Sequence, residues 1–142
     1  MKFYINGTRR GLGKELLARY GSCGSLEECD VFINCKHEGF QQVELLYKAA
    51  DLNKRIINIG SNSGDGIKNK FHKYAVEKAA LDKANEQLFY QGVNTTVLRF
   101  GYFDTERVSH VKEKKMSLDD VIEIIEWVLF SNVRIKEITA CP

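Results

Sequence analysis

A large charge excess, a paired cysteine motif and a long apolar run are all missing from this sequence, and each absence removes a class of function. Its 142 residues carry 21 Lys and Arg against 19 Asp and Glu, a net charge of +2, too even for a nucleic-acid platform. The one small basic patch, His110 to Lys115, reads as a solvated loop of mixed charge. The four cysteines, Cys23, Cys29, Cys35 and Cys141, form no Cys-x-x-Cys pair and have no histidine at zinc-finger spacing, which argues against a metal site. They read instead as reduced thiols of a cytoplasmic protein. No apolar run approaches the ~18 residues of a membrane span. The start, Met1 to Gly7, passes from strand to glycine turn without a signal-peptide core. The expectation is a cytoplasmic chain with neither membrane nor nucleic acid as partner. No repeat, linker or low-complexity segment interrupts it, so residues 1–142 read as a single domain.

What is present is alternation. Residues 2–6 read as a short buried strand and Gly7-Thr8-Arg9-Arg10-Gly11-Leu12-Gly13 as a turn opening a helix, with Leu12, Leu16, Leu17 and Tyr20 at helical spacing and Gly21 as its stop. Residues 22–29 read as a loop or short turn, 30–34 as a second strand and 35–39 as its exit. A helix over about 39–52 would bury Phe40, Val43, Leu45, Leu46 and Ala50. A strand over 55–60 leads to the glycine-rich loop 61–66, and a long helix over about 71–91 would pack Val76, Ala80, Leu81, Ala84 and Leu88. A strand over 94–100 follows, then a helix from a capping box at Ser117 to about Phe130, and a last strand over 134–139. Strands alternating with helices predict an α/β fold, a Rossmann-like three-layer arrangement around a reduced parallel sheet of about five strands.

Two stretches carry chemistry. A strand, a glycine-rich turn and a helix form the geometry of a dinucleotide phosphate site: glycines admit the pyrophosphate close to the backbone, and the helix start offers free N–H groups. Gly7, Arg9, Arg10, Gly11, Leu12 and Gly13 are the candidate cofactor-binding residues there. Arg9 and Arg10 would meet a 2′-phosphate, or are surface charges. The second stretch starts at Ser61, at the end of an apolar strand, and reaches Tyr74 and Lys78, which share one helix face at i, i+4. A hydroxyl, a phenol and an ammonium in one place suit proton transfer to or from an alcohol or carbonyl oxygen, because a nearby cation favours the phenolate. Ser63 is a rival hydroxyl. His37 is a candidate base or a bystander.

Together, Gly7-x-x-x-Gly11-x-Gly13, the Ser61 to Tyr74 spacing, Tyr74-x-x-x-Lys78 and the run from Arg99 to Thr105 resemble the short-chain dehydrogenase/reductase family, in the right order over nearly the whole chain. The resemblance implies an NAD(P)-dependent oxidoreductase. It makes Tyr74 the catalytic acid/base, with Lys78 lowering its pKa and holding the nicotinamide ribose. Ser61 would orient the substrate oxygen, Thr105 would hold the carboxamide, and Asn34 would join the cofactor site as the first residue of the family's Asn-Asn-Ala-Gly run. Arg10 stands where NADP-preferring members often carry a basic residue, which points to NADP(H) over NAD(H).

There are departures. The family usually has two more strands between the first helix and the strand at 30–34, and these normally form most of the adenosine pocket; here only a short loop intervenes. About twenty residues are absent before the helix at 39–52, and the family's catalytic Asn has no clear counterpart, His37 being the nearest candidate. Phe100 stands where Pro is usual. With right-handed crossovers the first helix would share a face with the next two and leave part of the sheet bare. A homo-oligomer covering that face, or the exposed edge of the first strand, is the expectation. The leading function is a minimal carbonyl reductase or alcohol dehydrogenase acting on a small carbonyl or alcohol substrate. The alternative is a non-catalytic nucleotide- or partner-binding module that keeps the fold.

Overall fold

The computed structural model describes residues 1–66 and 71–142. Among these, five strands alternate with four α-helices: β1 (Phe3–Ile5), α1 (Gly11–Tyr20), β2 (Val31–Asn34), α2 (Gln41–Asp51), β3 (Arg55–Ser61), α3 (Lys73–Tyr90), β4 (Thr95–Phe100), α4 (Leu118–Leu129) and β5 (Glu137–Ala140). All strand pairs are parallel, and the sheet order is β1-β2-β3-β4-β5. The expected Rossmann-like three-layer fold with five parallel strands is therefore present. β2 is buried throughout and β3 almost so, which is why both read as continuous apolar runs rather than alternating ones. No described helix is long and apolar enough to cross a membrane.

Alternate strand residues face opposite ways and build two cores. Phe3, Ile5, Val31, Ile33, Ile57, Ile59, Leu98 and Phe100 meet Leu12 and Leu16 of α1 and Val121, Ile122, Ile125 and Val128 of α4. On the other face Phe32, Ile56 and Val97 meet Leu46 and Ala49 of α2 and Leu81, Ala84 and Leu88 of α3. This corrects the expectation that α1 shares a face with α2 and α3. The strands lie in sequential order, so helices joining neighbours on opposite faces must turn with opposite hands. Two of the four crossovers therefore depart from the usual right-handed rule.

Contacts between α1 and α4 hold the unusual arrangement. The Tyr20 hydroxyl donates to Glu126 Oε1 at 2.7 Å, Arg19 pairs with the same oxygen at 3.1 Å, and the Tyr20 ring stacks on Phe3 at 4.6 Å. Neither sheet face is bare. Nor is the β1 edge fully open: Cys23 N–H donates to Phe3 O at 2.8 Å, and Ile5 N–H donates to Ser22 Oγ at 3.0 Å. The short connection itself thus occupies hydrogen-bonding groups that further strands would otherwise pair. The reason given for expecting a second copy on this face or edge falls away.

Element boundaries follow local chemistry. Gly21 closes α1 with a left-handed φ of 69°, and Ser117 Oγ accepts from Asp120 N–H at 3.1 Å to start α4. Phe40 and Val76, expected in the core, are each 47% exposed. On α3 the buried stripe runs instead through Ala75, Lys78, Leu81, Asn85 and Leu88. The last strand begins later than expected, at Glu137.

Gly13 is where α1 is pinned against the sheet exit, because a Cβ there would lie 1.9 Å from Gly7 O. Gly13→Ala is expected to cost ~2 kcal/mol or more by forcing backbone apart. Gly24→Ala, whose added Cβ would meet only Glu28 at ordinary contact distance, should stay within ~0.5 kcal/mol. Urea midpoints of the two variants check this, and similar midpoints would contradict the packing role of Gly13.

Candidate active site

The strand ends converge with the N-terminus of α1 at one edge of the sheet. Asn6 Oδ1 accepts from Cys35 N–H at 2.7 Å and Lys36 N–H at 2.9 Å, tying the exits of β1 and β2 together. Gly7 adopts φ 68° and Gly11 φ 62°, conformations that side chains disfavour. Arg10 holds the N-cap position of α1 in an extended conformation and supplies no side-chain cap, and the first turn carries no acid. The N–H groups that a helix start leaves unpaired are thus not satisfied by a capping side chain. Thr105, from the β4 exit, stands over this turn, its Cγ2 3.5 Å from where a Gly11 Cβ would be. Arg9 and Arg10 are exposed beside it.

The side chains of two cofactor candidates turn away from the cleft. Leu12 is in the core beneath the sheet, leaving only its backbone for an anion. Asn34 is fully buried: its amide donates to Gln42 O at 2.8 Å and Asn58 Oδ1 at 2.9 Å. It points toward the α2 side and ties β2 to β3 and α2, so its side chain does not open on the cleft. Gly13, as above, serves close packing.

The three catalytic candidates do come together. Ser61 ends β3 and donates to Ser63 Oγ at 2.9 Å, so the rival hydroxyl is its partner. Tyr74 lies close enough to Ser61 for that hydroxyl to favour its phenolate. Residues 67–70 of the connection between them lie outside the described residues. Lys78 Nζ lies 5.6 Å from the Tyr74 ring centre and donates to Gln42 Oε1 at 2.8 Å and Ile59 O at 3.0 Å. An ammonium has three protons to donate, and these bonds use two.

Electrostatics differ from the expectation in one respect. Burial pushes the Tyr74 phenol up, and the charge that chiefly opposes this is Arg107, followed by the nearby Ser61 hydroxyl. Lys78 was the expected source of that effect. Its own ammonium is driven down to about 8 by burial, and its positive charge is engaged by neutral acceptors. Arg107 follows Thr105 on a short 3₁₀ turn, Glu106–Val108, with its guanidinium carbon 5.8 Å from the Tyr74 ring centre.

Two further residues belong to the site. Gln42, which sequence reasoning passed over, is 2% exposed. Its Nε2 donates to Asn34 O at 2.8 Å and Ile59 O at 3.0 Å, which orients Oε1 toward Lys78. A polar residue in phase with Leu46 and Ala49 on the buried stripe of α2 was the available signal. His37 sits with its ring 4.7 Å from that of Tyr74 and its Nε2 3.5 Å from the buried Glu77 Oε1. Burial, aided by the charges of Lys78 and Arg107 and opposed by Glu77, lowers its pKa and favours the neutral ring. His37, the nearest candidate for the family's missing Asn, thus faces Tyr74 and Glu77, while Lys78 donates to Gln42.

No family model matches the sequence, and no curated protein matches it. Solved structures match its fold. Serine dehydrogenase in its closed form with NADP+ superposes with a TM-score of 0.74 at 14% identity, over 99% of this chain and 94% of that one. A 4-hydroxyisoleucine dehydrogenase mutant with NADH and succinate gives 0.72 at 14% identity, over 99% and 97%. A short-chain dehydrogenase from Burkholderia cenocepacia with NADP gives 0.70 at 14% identity, over 98% and 89%. The fold of this chain is that of short-chain dehydrogenases, as its motifs implied.

A depressed lysine makes stability depend on pH. Between about 8 and the ordinary 10.5 of lysine, the unfolded chain holds a proton that the folded chain has released, so stability gains from Lys78 as pH rises through that window. Carbon-13 labelled lysine is expected to show one side chain titrating near pH 8 that vanishes in Lys78→Met. In Gln42→Leu, where one acceptor of the ammonium is gone, the midpoint should fall further. If every lysine titrates at its ordinary value, the buried ammonium described here is wrong.

Proposed function

We propose that this chain is an NAD(P)-dependent oxidoreductase of the carbonyl reductase or alcohol dehydrogenase type, a reduced form of the short-chain dehydrogenase. The observation that carries the reading is the juxtaposition of Ser61, Tyr74 and Lys78 at the strand ends. Solved neighbours of the same fold hold NADH or NADP, which supports a nicotinamide cofactor.

The chain's own groups suit such a cofactor. Gly7, Gly11 and the uncapped first turn of α1 would hold its diphosphate. Thr105 would reach its carboxamide, and the unused proton of Lys78 its ribose. Exposed Arg9 and Arg10 would meet a 2′-phosphate, so NADP(H) is the proposed form over NAD(H). When bound, the nicotinamide supplies or accepts a hydride.

The protein's part is the proton. Ser61 donates to the substrate oxygen and sets its position, while the Tyr74 hydroxyl gives its proton to that oxygen during carbonyl reduction and takes it back during alcohol oxidation. Arg107 and Ser61 counter the burial that would otherwise leave the phenol too weak an acid. Gln42 keeps Lys78 in place. A second copy of the chain remains part of the proposal, its support now the exposed Trp127, Phe130 and Val133 near the end of α4.

The non-catalytic alternative draws support from the missing adenosine strands. A pure binding module, however, has no use for Ser61 and Tyr74 side by side next to a destabilising buried ammonium.

The experiment is a screen of small aldehydes and ketones with NADPH. Tyr74→Phe is expected to lose ~100-fold or more in kcat, the scale of a general acid, while NADPH affinity changes little. A Phe variant with the parent rate would remove Tyr74 from the mechanism.

A further inference from the structure

Among the charged groups around Tyr74, most are already engaged. Lys78 is buried against Gln42 Oε1 and Ile59 O. His37 faces Glu77, and that carboxylate is itself 7% exposed. Arg107 differs: it is exposed, and among the described residues its side chain makes no ion pair or hydrogen bond, although Asp104 and Glu106 are close in sequence. Its guanidinium carbon nevertheless lies 5.8 Å from the Tyr74 ring centre, and its charge acts on Tyr74, Lys78 and His37 alike.

The backbone accounts for this placement. Met116 N–H donates to Tyr102 O at 2.9 Å and Asp104 N–H to Met116 O at 2.8 Å, so the loop between them is closed at its base. Its first turn, Glu106–Val108, is held by Val108 N–H donating to Thr105 O at 3.2 Å. Arg107 is thus presented on a fixed stem at the mouth of the site, with Tyr102 also near Tyr74. A guanidinium offers a planar fork of donors that matches a carboxylate in two-point contact. A substrate whose oxygen meets Tyr74 and Ser61 would place a group a few bonds away within reach of that fork.

Building on the function proposed above, we propose that Arg107 is a specificity-determining residue that binds a carboxylate of the substrate, so that the reaction interconverts a small oxo acid and the corresponding hydroxy acid. The carboxylate is not consumed; its pairing with Arg107 orients the carbonyl against Tyr74. Neutral carbonyl compounds lack that contact and are discriminated against through KM.

The test needs no turnover to begin. Succinate is titrated into the isotope-labelled full chain and followed by NMR at the Arg107 side-chain N–H and the Tyr102 backbone, with dimethyl succinate as the uncharged control. Saturable shifts with succinate and much weaker ones with the diester are expected, and Arg107→Gln should raise the succinate Kd ~tenfold or more, with Arg107→Lys between, since it keeps charge but not the fork. Absence of succinate binding, equal binding of the diester, or an unchanged Kd in Arg107→Gln overturns the proposal. If Arg107→Gln weakens NADPH as much as succinate, the guanidinium serves the cofactor and the proposal also falls. Once turnover is found, the kcat/KM preference for 4-oxopentanoate over its methyl ester should drop ~tenfold in Arg107→Gln, through KM. Failure of all turnover with succinate binding intact would overturn the proposed function alone.

Discussion

A lysine ammonium buried at the end of β3 is the constraint around which the site is built. Charge taken out of water is costly unless acceptors surround it, and Lys78 is 3% exposed. Its two acceptors come from different elements, Gln42 on α2 and the Ile59 carbonyl on β3. Gln42 can face the lysine because its amide nitrogen is held by Asn34 O and Ile59 O. The Asn34 amide reaches Asn58, whose own amide donates to Thr95 Oγ1 at 3.0 Å. Polar groups therefore run beneath the site across three neighbouring strands, joined by hydrogen bonds from one to the next.

The second constraint is the short passage from α1 to β2. With no further strands on that side, α1 could have joined α2 and α3 on one face. Instead it packs with α4 on the other, through Leu12, Leu16, Tyr20 and Glu126. The sheet is covered on both faces at the expense of two unusual crossovers. The N-terminus of α1 remains beside the glycine turn and Thr105, as a phosphate-binding strand, turn and helix require. Residues 22 and 23 occupy the β1 edge, where the fuller fold of the resemblance has strands that form the adenosine pocket.

Much of this was legible in the chain. Apolar runs at Val31–Ile33 and Ile56–Ile59 announce buried parallel strands, Gly21 and Ser117 announce helix ends, and the i, i+4 relation brings Tyr74 and Lys78 to one side of α3. What could not be read follows from the same physics. Counting apolar residues put Val76 in the core, whereas the buried stripe of α3 holds Lys78 and Asn85. Asn34 and Leu12 match motif positions, but side-chain direction depends on which face of the sheet or helix is buried. The crossover hand is a tertiary choice between α4 and α2 as neighbours of α1. Gln42 and Arg107 act across long sequence separations; the helical phase of Gln42 with Leu46 and Ala49 signals only burial, and no local spacing announces Arg107.

The central claim is that this reduced sheet still holds a nicotinamide dinucleotide. Calorimetric titration of the purified chain with NADPH and then NADH at low salt tests it most directly. The account predicts binding of NADPH in the ~micromolar range, about −8 kcal/mol, and weaker binding of NADH. No heat with either ligand at millimolar concentration would contradict it and leave Ser61, Tyr74 and Lys78 without a cofactor to serve.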